Sequence, residues 1–184
     1  GEVQERNAKT ASRLGKIADG PVTAGLSQRA LIEETSMHTE RAIMEVDYFS
    51  QVFFTKTVLP TLIKQKSGRV VFVSSVAGLL GTQYRATYSA AKAAIHMWAN
   101  SLRAEVAKDG IAVSVVFPGF VKTNVSFNAL NGEGKPQGHQ DEAIENGLDV
   151  DVFAERVVES LMAGDEYIVV GGKKEQLGVL VSRL

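Results

Sequence analysis

The chain has 184 residues, an apolar share of 45% and a formal net charge of −1. This length suits one domain with a sizeable core, and the balanced charge gives neither the basic excess of a nucleic-acid-binding protein nor an acidic solvating tail. Cysteine is absent, which excludes disulfides and cysteine-ligated metal sites and agrees with a cytoplasmic location. No apolar run is long enough to span a bilayer, and the N-terminal stretch is polar, unlike a secretory signal.

The first strong pattern predicts a helix over residues 39–65. Pro60 lies within this segment and is expected to end or kink the helix. A short run of β-branched and aromatic residues at 70–73 then predicts a strand covered on both faces. The helix assignment rests on apolar residues that recur near helical spacing, namely Ile43, Val46, Phe49, Phe53 and Val58.

The second half of the chain continues this alternation. Its predicted elements are an alanine-rich helix at 88–108, a strand at 112–117, a long polar loop at 124–148, an amphipathic helix at 153–163 and a strand at 167–170. The apolar side of the amphipathic helix is formed by Phe153, Val157, Val158 and Leu161. Helices alternating with strands predict an α/β fold with a parallel sheet and helices on its faces. We expect residues 1–184 to form one domain.

Ligands in such folds bind at the carboxyl ends of the strands. Four residues follow or end predicted strands in this way, namely Ser74, Ser75, Pro118 and Gly119. The sequence therefore predicts a ligand site at this edge of the sheet.

Tyr88 and Lys92 lie four positions apart in the alanine-rich helix, so they share one helix face. Tyrosine is a poor base at neutral pH because its reference pKa is about 10, and a nearby ammonium group favours the phenolate and lowers that pKa. A phenol tuned in this way can give a proton to a carbonyl oxygen or take one from an alcohol. Ser75 lies 13 residues before Tyr88, at a strand end, and can supply a second hydroxyl to the same oxygen.

In three segments the sequence resembles the short-chain dehydrogenase/reductase family. The segments are VVFVSSVAG at 70–78, YSAAK at 88–92 and FPGFVKT at 117–123, in the order and spacing of that family. The tyrosine–lysine pair is a weak signal by itself, but its combination with the serine and the PG loop is specific. The resemblance covers roughly residues 24–170. It implies a Rossmann-like, doubly wound parallel sheet and an NAD(P) cofactor.

The resemblance also implies roles for individual residues. Tyr88 is expected to be the general acid/base, Ser75 to hold the substrate oxygen, and Lys92 to tune the tyrosine and bind the nicotinamide ribose. Ser74 is expected to point elsewhere. Further cofactor contacts are expected at the turn TAGLS and after the PG motif, from Ala24, Gly25, Pro118, Gly119, Val121 and Thr123. No metal ligand is expected.

Three features depart from the family pattern. Asp47, in EVDYF, stands where the family usually has an asparagine, and its charge is expected to change the site even if it still holds a water for proton relay. Val22 and Thr23 replace the two asparagines of the NNAG turn, and the preceding ADGP matches the usual strand poorly. No TGxxxGxG motif precedes Tyr88. The N-terminal strand–loop–helix unit that cradles the cofactor phosphates is therefore expected to be missing from this sequence.

These observations predict an NAD(P)-dependent oxidoreductase that interconverts a carbonyl and a secondary alcohol, with a small-molecule substrate and no nucleic-acid partner. The resemblance also implies a homodimer or homotetramer that pairs through the helices at 39–65 and 88–108. The alternative is a truncated or divergent non-catalytic relative that acts through helix-mediated assembly. Neither the substrate nor the choice between NAD and NADP follows from these residues.

Overall fold

The protein forms a parallel, four-stranded sheet in the computed structural model, which describes residues 19–22, 25–172, 175 and 178. The strands are Asp19–Val22 (β1), Gly68–Val73 (β2), Ile111–Pro118 (β3) and Tyr167–Val170 (β4). They lie side by side in chain order, and every neighbouring pair is parallel. The parallel sheet of the predicted α/β fold is therefore confirmed.

Five α-helices accompany these strands within the described ranges. They are Met37–Met44 (α1), Ser50–Gln65 (α2), Ala86–Val106 (α3), Glu142–Glu145 (α4) and Val150–Ala163 (α5). A π-helical turn, Glu45–Phe49, joins α1 to α2 without a break. Ser36 begins α1 as its N-cap, because its hydroxyl accepts a hydrogen bond from the Thr39 N–H at 3.2 Å.

Both faces of the sheet are covered, as the doubly wound arrangement requires. Side chains alternate along β2, so Val70 and Phe72 pack towards α2 and α3, whereas Val71 packs towards α5. The core between the sheet and α2 and α3 includes the fully buried side chains Phe72, Ile95 and Phe117. None of the helices in the described ranges combines the length and apolar character that crossing a membrane requires.

Two details of the helices differ from expectation. Pro60, expected to end or kink the helix, does not end it, because α2 continues to Gln65. Pro60 and Lys56 are both exposed, so the carbonyl that lacks its usual N–H partner lies on the solvent side. In α5, Phe153, Val157 and Leu161 contact the sheet, but Val158 is 57% exposed and does not belong to the apolar face.

The segment ADGP was a poor match to a strand, yet Asp19–Val22 forms β1 and pairs with β2 from Asp19 opposite Arg69 to Val22 opposite Phe72. Pro21 is tolerated because β1 lies at one end of the described sheet, where a strand needs partners on one side only. Thr23 and Ala24 lie outside the described residues, so the predicted cofactor contact of Ala24 stays a prediction.

The predicted loop at 124–148 lacks long helices and strands, but it is tied to the rest of the molecule. Leu130 forms bridges to Gln28 and Pro136, and α4 lies near the end of the segment. The Ser36 N–H donates to the Gly132 carbonyl at 2.9 Å, which fastens the glycine-rich part of the segment to the start of α1. The segment therefore forms one wall beside the sheet edge.

Candidate active site

The carboxyl ends of β2 and β3 meet at one edge of the sheet. The Ser74 N–H donates to the Val116 carbonyl at 2.9 Å, which continues the pairing of β2 with β3 beyond Val73. The Ser75 hydroxyl lies 3.5 Å from the Pro118 carbonyl oxygen and accepts a hydrogen bond from the Ala77 N–H at 3.1 Å. These contacts place Ser75 beside the PG loop, as the sequence predicts.

The two adjacent serines point in different directions. The Ser74 hydroxyl is buried and donates to the Lys92 main-chain carbonyl at 2.7 Å, so it supports helix α3. Ser75 instead lines the cavity at the sheet edge and is hydrogen-bonded to the Tyr88 phenol. The prediction that Ser74 points elsewhere is confirmed.

Helix α3 brings Tyr88 and Lys92 to this edge on one face. The Lys92 ammonium nitrogen lies 5.7 Å from the centre of the Tyr88 ring. The helix comes close to the turn after Ser75 because of Gly78: a Cβ at this position would stand 2.8 Å from the Lys92 carbonyl carbon and 2.9 Å from its Cβ. A glycine at 78 thus allows the serine and tyrosine elements to touch.

Lys92 is buried behind the tyrosine, where its ammonium group donates to the Val73 carbonyl at 3.3 Å and lies 3.7 Å from Asp47 Oδ2. Gly25 lies on the same side: a Cβ there would stand 3.4 Å from the Lys92 ammonium nitrogen. Gly25 therefore lies directly beside the Lys92 ammonium group and places no side chain against it.

Asp47 lies in the π-helical turn, in which the Ser50 N–H donates to the Glu45 carbonyl, five residues back. Its Oδ1 accepts a hydrogen bond from the Leu26 N–H at 2.6 Å, whereas Oδ2 faces Lys92 beyond hydrogen-bond distance. The Gln51 amide donates to the Asp47 carbonyl at 2.7 Å. The carboxyl side chain is fully buried.

Burial shifts both members of this pair towards their neutral forms. It raises the pKa of Asp47 from 3.8 to about 6, against the Lys92 charge and the Leu26 hydrogen bond, which lower it. Burial also lowers the pKa of Lys92, although the Asp47 charge acts in the opposite direction. Asp47 therefore changes its charge near neutral pH, as an asparagine at this position could not.

The pKa of Tyr88 is raised, not lowered as the neighbouring ammonium led us to expect. Burial raises the pKa of Tyr88 above 10, and the hydrogen bond with Ser75 lowers it by less. The Asp47 charge raises this pKa further, while Arg85 and Arg29 are the cations that lower it. The role of Lys92 in tuning Tyr88 stays a prediction.

One cavity collects most of these groups. Its lining consists of Ser27, Arg29, Ser75, Val76, Ala77, Thr82, Arg85, Tyr88, Pro118, Gly119, Phe120, Val125, Ile144 and Glu175. The predicted residues Ser75, Tyr88, Pro118 and Gly119 are thus brought together, with Lys92, Asp47 and Gly25 adjoining them.

Two predicted cofactor contacts lie apart from this cavity. Val121 is 7% exposed and forms a bridge with Leu148. Thr123 is exposed and lines a separate cleft with Gln140 and Glu145. Ala24 lies outside the described residues.

Sequence reasoning missed two arginines and their shared partner. Arg29 Nε and Nη2 donate to Asp141 Oδ2 at 2.8 and 2.5 Å, and Arg85 Nη2 lies 3.4 Å from the same oxygen. Arg85 is the N-cap residue of α3 and precedes Tyr88 by only three residues, so the sequence contains a signal that the two lie close together. Asp141 is 112 residues from Arg29, and no local pattern connects them.

Sequence reasoning also missed Glu175, which follows β4 and lines the cavity. Tyr84, a second tyrosine close to the pair, is 48% exposed, has a positive φ of 65° and does not line the cavity. Tyr84 is therefore a surface residue.

A doubly covered parallel sheet with serine, tyrosine and lysine gathered at its carboxyl edge defines a Rossmann-like α/β protein of the dehydrogenase type. The sequence model of the family described as "short chain dehydrogenase" matches residues 2–133. The chain belongs to this family.

Curated relatives agree with this membership. The chain is 38% identical over 160 residues to "Dehydrogenase/reductase SDR family protein 7-like" of Drosophila melanogaster, which covers 87% of the chain and 49% of the relative. It is 36% identical over 161 residues to "Dehydrogenase/reductase SDR family member 7B" of Xenopus laevis, which covers 88% of the chain and 50% of the relative. The chain therefore spans about half the length of these relatives.

Solved structures share the fold. A short-chain dehydrogenase from Streptomyces avermitilis superposes with a TM-score of 0.82 and 26% identity, over 98% of this chain and 71% of that one. A short-chain dehydrogenase from Burkholderia cenocepacia, solved in complex with NADP, superposes with a TM-score of 0.80 and 25% identity, over 98% of this chain and 73% of that one.

Proposed function

We propose that the protein is an NAD(P)-dependent oxidoreductase that interconverts a carbonyl and a secondary alcohol. The observation that carries this proposal is the convergence of Ser75 and Tyr88, from two different elements, on one cavity with Lys92 behind them. A carbonyl oxygen placed between the two hydroxyls would accept a hydrogen bond from each.

The residues around Lys92 fit a nicotinamide nucleotide. Gly25 leaves no side chain over the lysine ammonium group, and Pro118 and Gly119 form the opposite rim, where strand β3 ends. The NADP bound to the Burkholderia cenocepacia relative supports this assignment. Gly25, Tyr88, Lys92, Pro118 and Gly119 would hold the cofactor, and Ala24, Val121 and Thr123 are proposed contacts from the family resemblance alone.

The cofactor, when bound, supplies or accepts the hydride at the reacting carbon. Tyr88 manages the proton at the oxygen. Because burial keeps the pKa of Tyr88 above its ordinary value, the phenol carries its proton at neutral pH and is ready to donate it to a carbonyl. Ser75 orients that oxygen and stabilises the charge that develops on it.

Asp47 acts behind Lys92 in this proposal. Its carboxyl group has a pKa of about 6 and lies 3.7 Å from the lysine ammonium nitrogen, so its protonation changes the charge next to the nucleotide-facing lysine. An asparagine at this position would hold the same shape without the charge. Asp47 therefore makes the activity depend on pH near neutrality.

The test uses the longest natural polypeptide that contains this sequence, assayed by nicotinamide absorbance with both cofactors and a panel of ketones and secondary alcohols. Tyr88→Phe should lower kcat at least a hundredfold, in line with the roughly 10²–10⁴-fold contribution of general acid/base catalysis. Tyr84→Phe is the matched control, because Tyr84 lies on the same segment but outside the cavity. Full turnover by Tyr88→Phe would refute the proposal.

The alternative, a non-catalytic relative that acts through assembly, predicts no response to NAD(H) or NADP(H). A cofactor titration followed by thermal shift separates the two functions. The intact meeting of Ser75 and Tyr88 favours the enzyme, since assembly through helices does not require it.

We also propose that the protein forms a homodimer or homotetramer in the cytoplasm. The feature that supports self-association is exposed apolar surface near the outer faces of the long helices, where Phe49 is 48% and Met97 is 61% exposed.

A further inference from the structure

Arg85 stands at the start of the helix that carries Tyr88 and lines the same cavity. Tyr88 lines this cavity too, and the Arg85 charge acts on the Tyr88 phenol, so the guanidinium group borders the place where the substrate oxygen would meet Tyr88. The Arg85 side chain is 20% exposed, so most of its surface is withdrawn from water.

Asp141, the acidic residue nearest to the Arg85 guanidinium group, is already bound by Arg29. Asp141 Oδ2 accepts hydrogen bonds from both Nε and Nη2 of Arg29, at 2.8 and 2.5 Å, whereas its contact with Arg85 is a long one of 3.4 Å. Arg29 also donates through Nη1 to Ser27 and to the Gln28 carbonyl. One carboxylate therefore serves two guanidinium groups, and Arg29 takes the larger share.

The electrostatic balance at Arg85 points the same way. Burial lowers the pKa of Arg85, and the positive charge of Arg29 lowers it further, against the opposing effect of Asp141. A second anion beside Arg85 would correct this imbalance. Guanidinium groups bind carboxylate and phosphate oxygens through paired N–H donors, which leaves Arg85 suited to such a group.

The other walls of the cavity decide where an anion can lie. Val76, Val125 and Ile144 are apolar. Glu175 is on the PG side, where it accepts a hydrogen bond from the Phe120 N–H at 3.4 Å, and no ion pair joins it to an arginine among the described residues. An anionic group would be repelled from the Glu175 side and attracted to the Arg85 side.

We propose that Arg85 binds an anionic group of the substrate, a carboxylate or a phosphate, so that the protein acts on oxo acids, hydroxy acids or their phosphorylated counterparts in preference to neutral ketones and alcohols. This inference rests on the proposed oxidoreductase function. The reaction itself is the same hydride and proton transfer at the carbonyl carbon and oxygen, and the anion takes no part in it.

The experiment compares matched substrate pairs on the full-length natural protein. Benzoylformate, acetoacetate and levulinate, each against its methyl ester, vary the distance between carboxylate and carbonyl. Dihydroxyacetone phosphate against dihydroxyacetone tests phosphate as the source of charge. We expect kcat/KM to favour the anionic member of at least one pair by roughly ten- to a hundredfold, the range for a hydrogen bond to a charged group.

Arg85→Met should reduce this preference by the same factor, and Arg85→Lys should retain part of it because the charge remains while the paired donors are lost. Arg156→Met is the control, since Arg156 is exposed on α5. The ratio between pair members is the readout. An effect of Arg85 on the pKa of Tyr88 would change both members equally and would leave the ratio unaltered.

Equal turnover of acids and esters by the wild-type protein, or an unchanged ratio in Arg85→Met, would overturn the proposal and leave the oxidoreductase function standing. Calorimetric titration with the same pairs gives a readout that does not need turnover. Arg85-dependent binding of an anion without turnover would support an anion site at Arg85 but would overturn its role in substrate choice and count against the proposed function. Absence of any preferential binding of the anionic members would refute the inference.

Discussion

Asp47 and Lys92 show how strongly burial controls the chemistry of single residues at this site. Neither side chain is appreciably exposed, and their charged atoms face each other at 3.7 Å. Burial disfavours both charges, and their mutual attraction only partly offsets this effect. The state of the pair is therefore sensitive to modest changes in pH.

Asp47→Asn should change how stability depends on pH. The pKa of Asp47 is about 6 in the folded protein and 3.8 ordinarily, so the folded state binds the proton more tightly. The free energy of unfolding must then fall as pH rises between these values, by up to about 3 kcal/mol. Asp47→Asn should remove this decline, as measured by urea unfolding across that range.

Glu45→Gln is the control for this measurement, because Glu45 lies on the same π-helical turn but is exposed. Outside the range between pH 3.8 and about 6, the unfolding free energies of the wild type and Asp47→Asn should depend on pH in the same way. If the unfolding free energies of the two proteins change in parallel within this range as well, Asp47 is already ionised well below pH 6 in the folded protein.

Some of these residue properties could be predicted from the sequence and others could not. Tyr88 and Lys92 share a helix face by local geometry, and the strand that precedes Ser75 fixes its place at the sheet edge. The direction of the Tyr88 pKa depends on burial and on Arg29, Arg85 and Asp47. These three groups come from three separate parts of the chain, so no local pattern contains their combined effect.

At the scale of elements, the segment 124–148 is joined to the site by the Arg29–Asp141 ion pair. Asp141 also accepts a hydrogen bond from Gln137 at 3.1 Å, within the same segment. Burial acts to raise the pKa of Asp141, but these hydrogen bonds and the arginine charges bring it below 3.8. The pair therefore anchors the wall of the cavity to the turn after β1.

Asp141→Asn should destabilise the protein by about 1–2 kcal/mol at neutral pH, since it weakens hydrogen bonds to a charged group. The lowered pKa means that this stabilisation is complete above pH 3.8 and is lost as pH falls through the folded value. The difference in unfolding free energy between variant and wild type should therefore shrink in acid. Glu142→Gln, next to it and exposed, should show no such pH-dependent difference.

Elements also differed from prediction where tertiary contacts outweigh local preference. β1 forms despite the turn-like DGP because β2 offers it a pairing edge. Helix α2 runs past Pro60 because its other contacts hold it, with Val58 and Leu62 buried against the sheet. The order of helices and strands was predictable because each long element carries its own apolar period.

At the scale of the whole molecule, the proposed self-association can be tested at the exposed apolar side chains of the long helices. Met97→Glu should place a charge in the proposed interface and lower the assembled mass measured by light scattering after size exclusion. Met162→Glu is the matched control, because Met162 is 83% exposed on α5, away from the long helices. Equal masses for wild type and Met97→Glu would exclude this face as the contact.

Gly78 has a consequence for the reaction that no functional group reveals. Because Gly78 has no side chain, the turn after Ser75 packs directly against helix α3. Any Cβ at this position would overlap the backbone at Lys92. Gly78→Ala would push helix α3 away from the turn after Ser75. The distance between the Ser75 and Tyr88 hydroxyls would increase, although both side chains would still be present. We expect a large loss of kcat with a moderate stability cost of about 1–3 kcal/mol. Gly81→Ala, where a Cβ meets no atom within 4 Å, should leave both measurements unchanged.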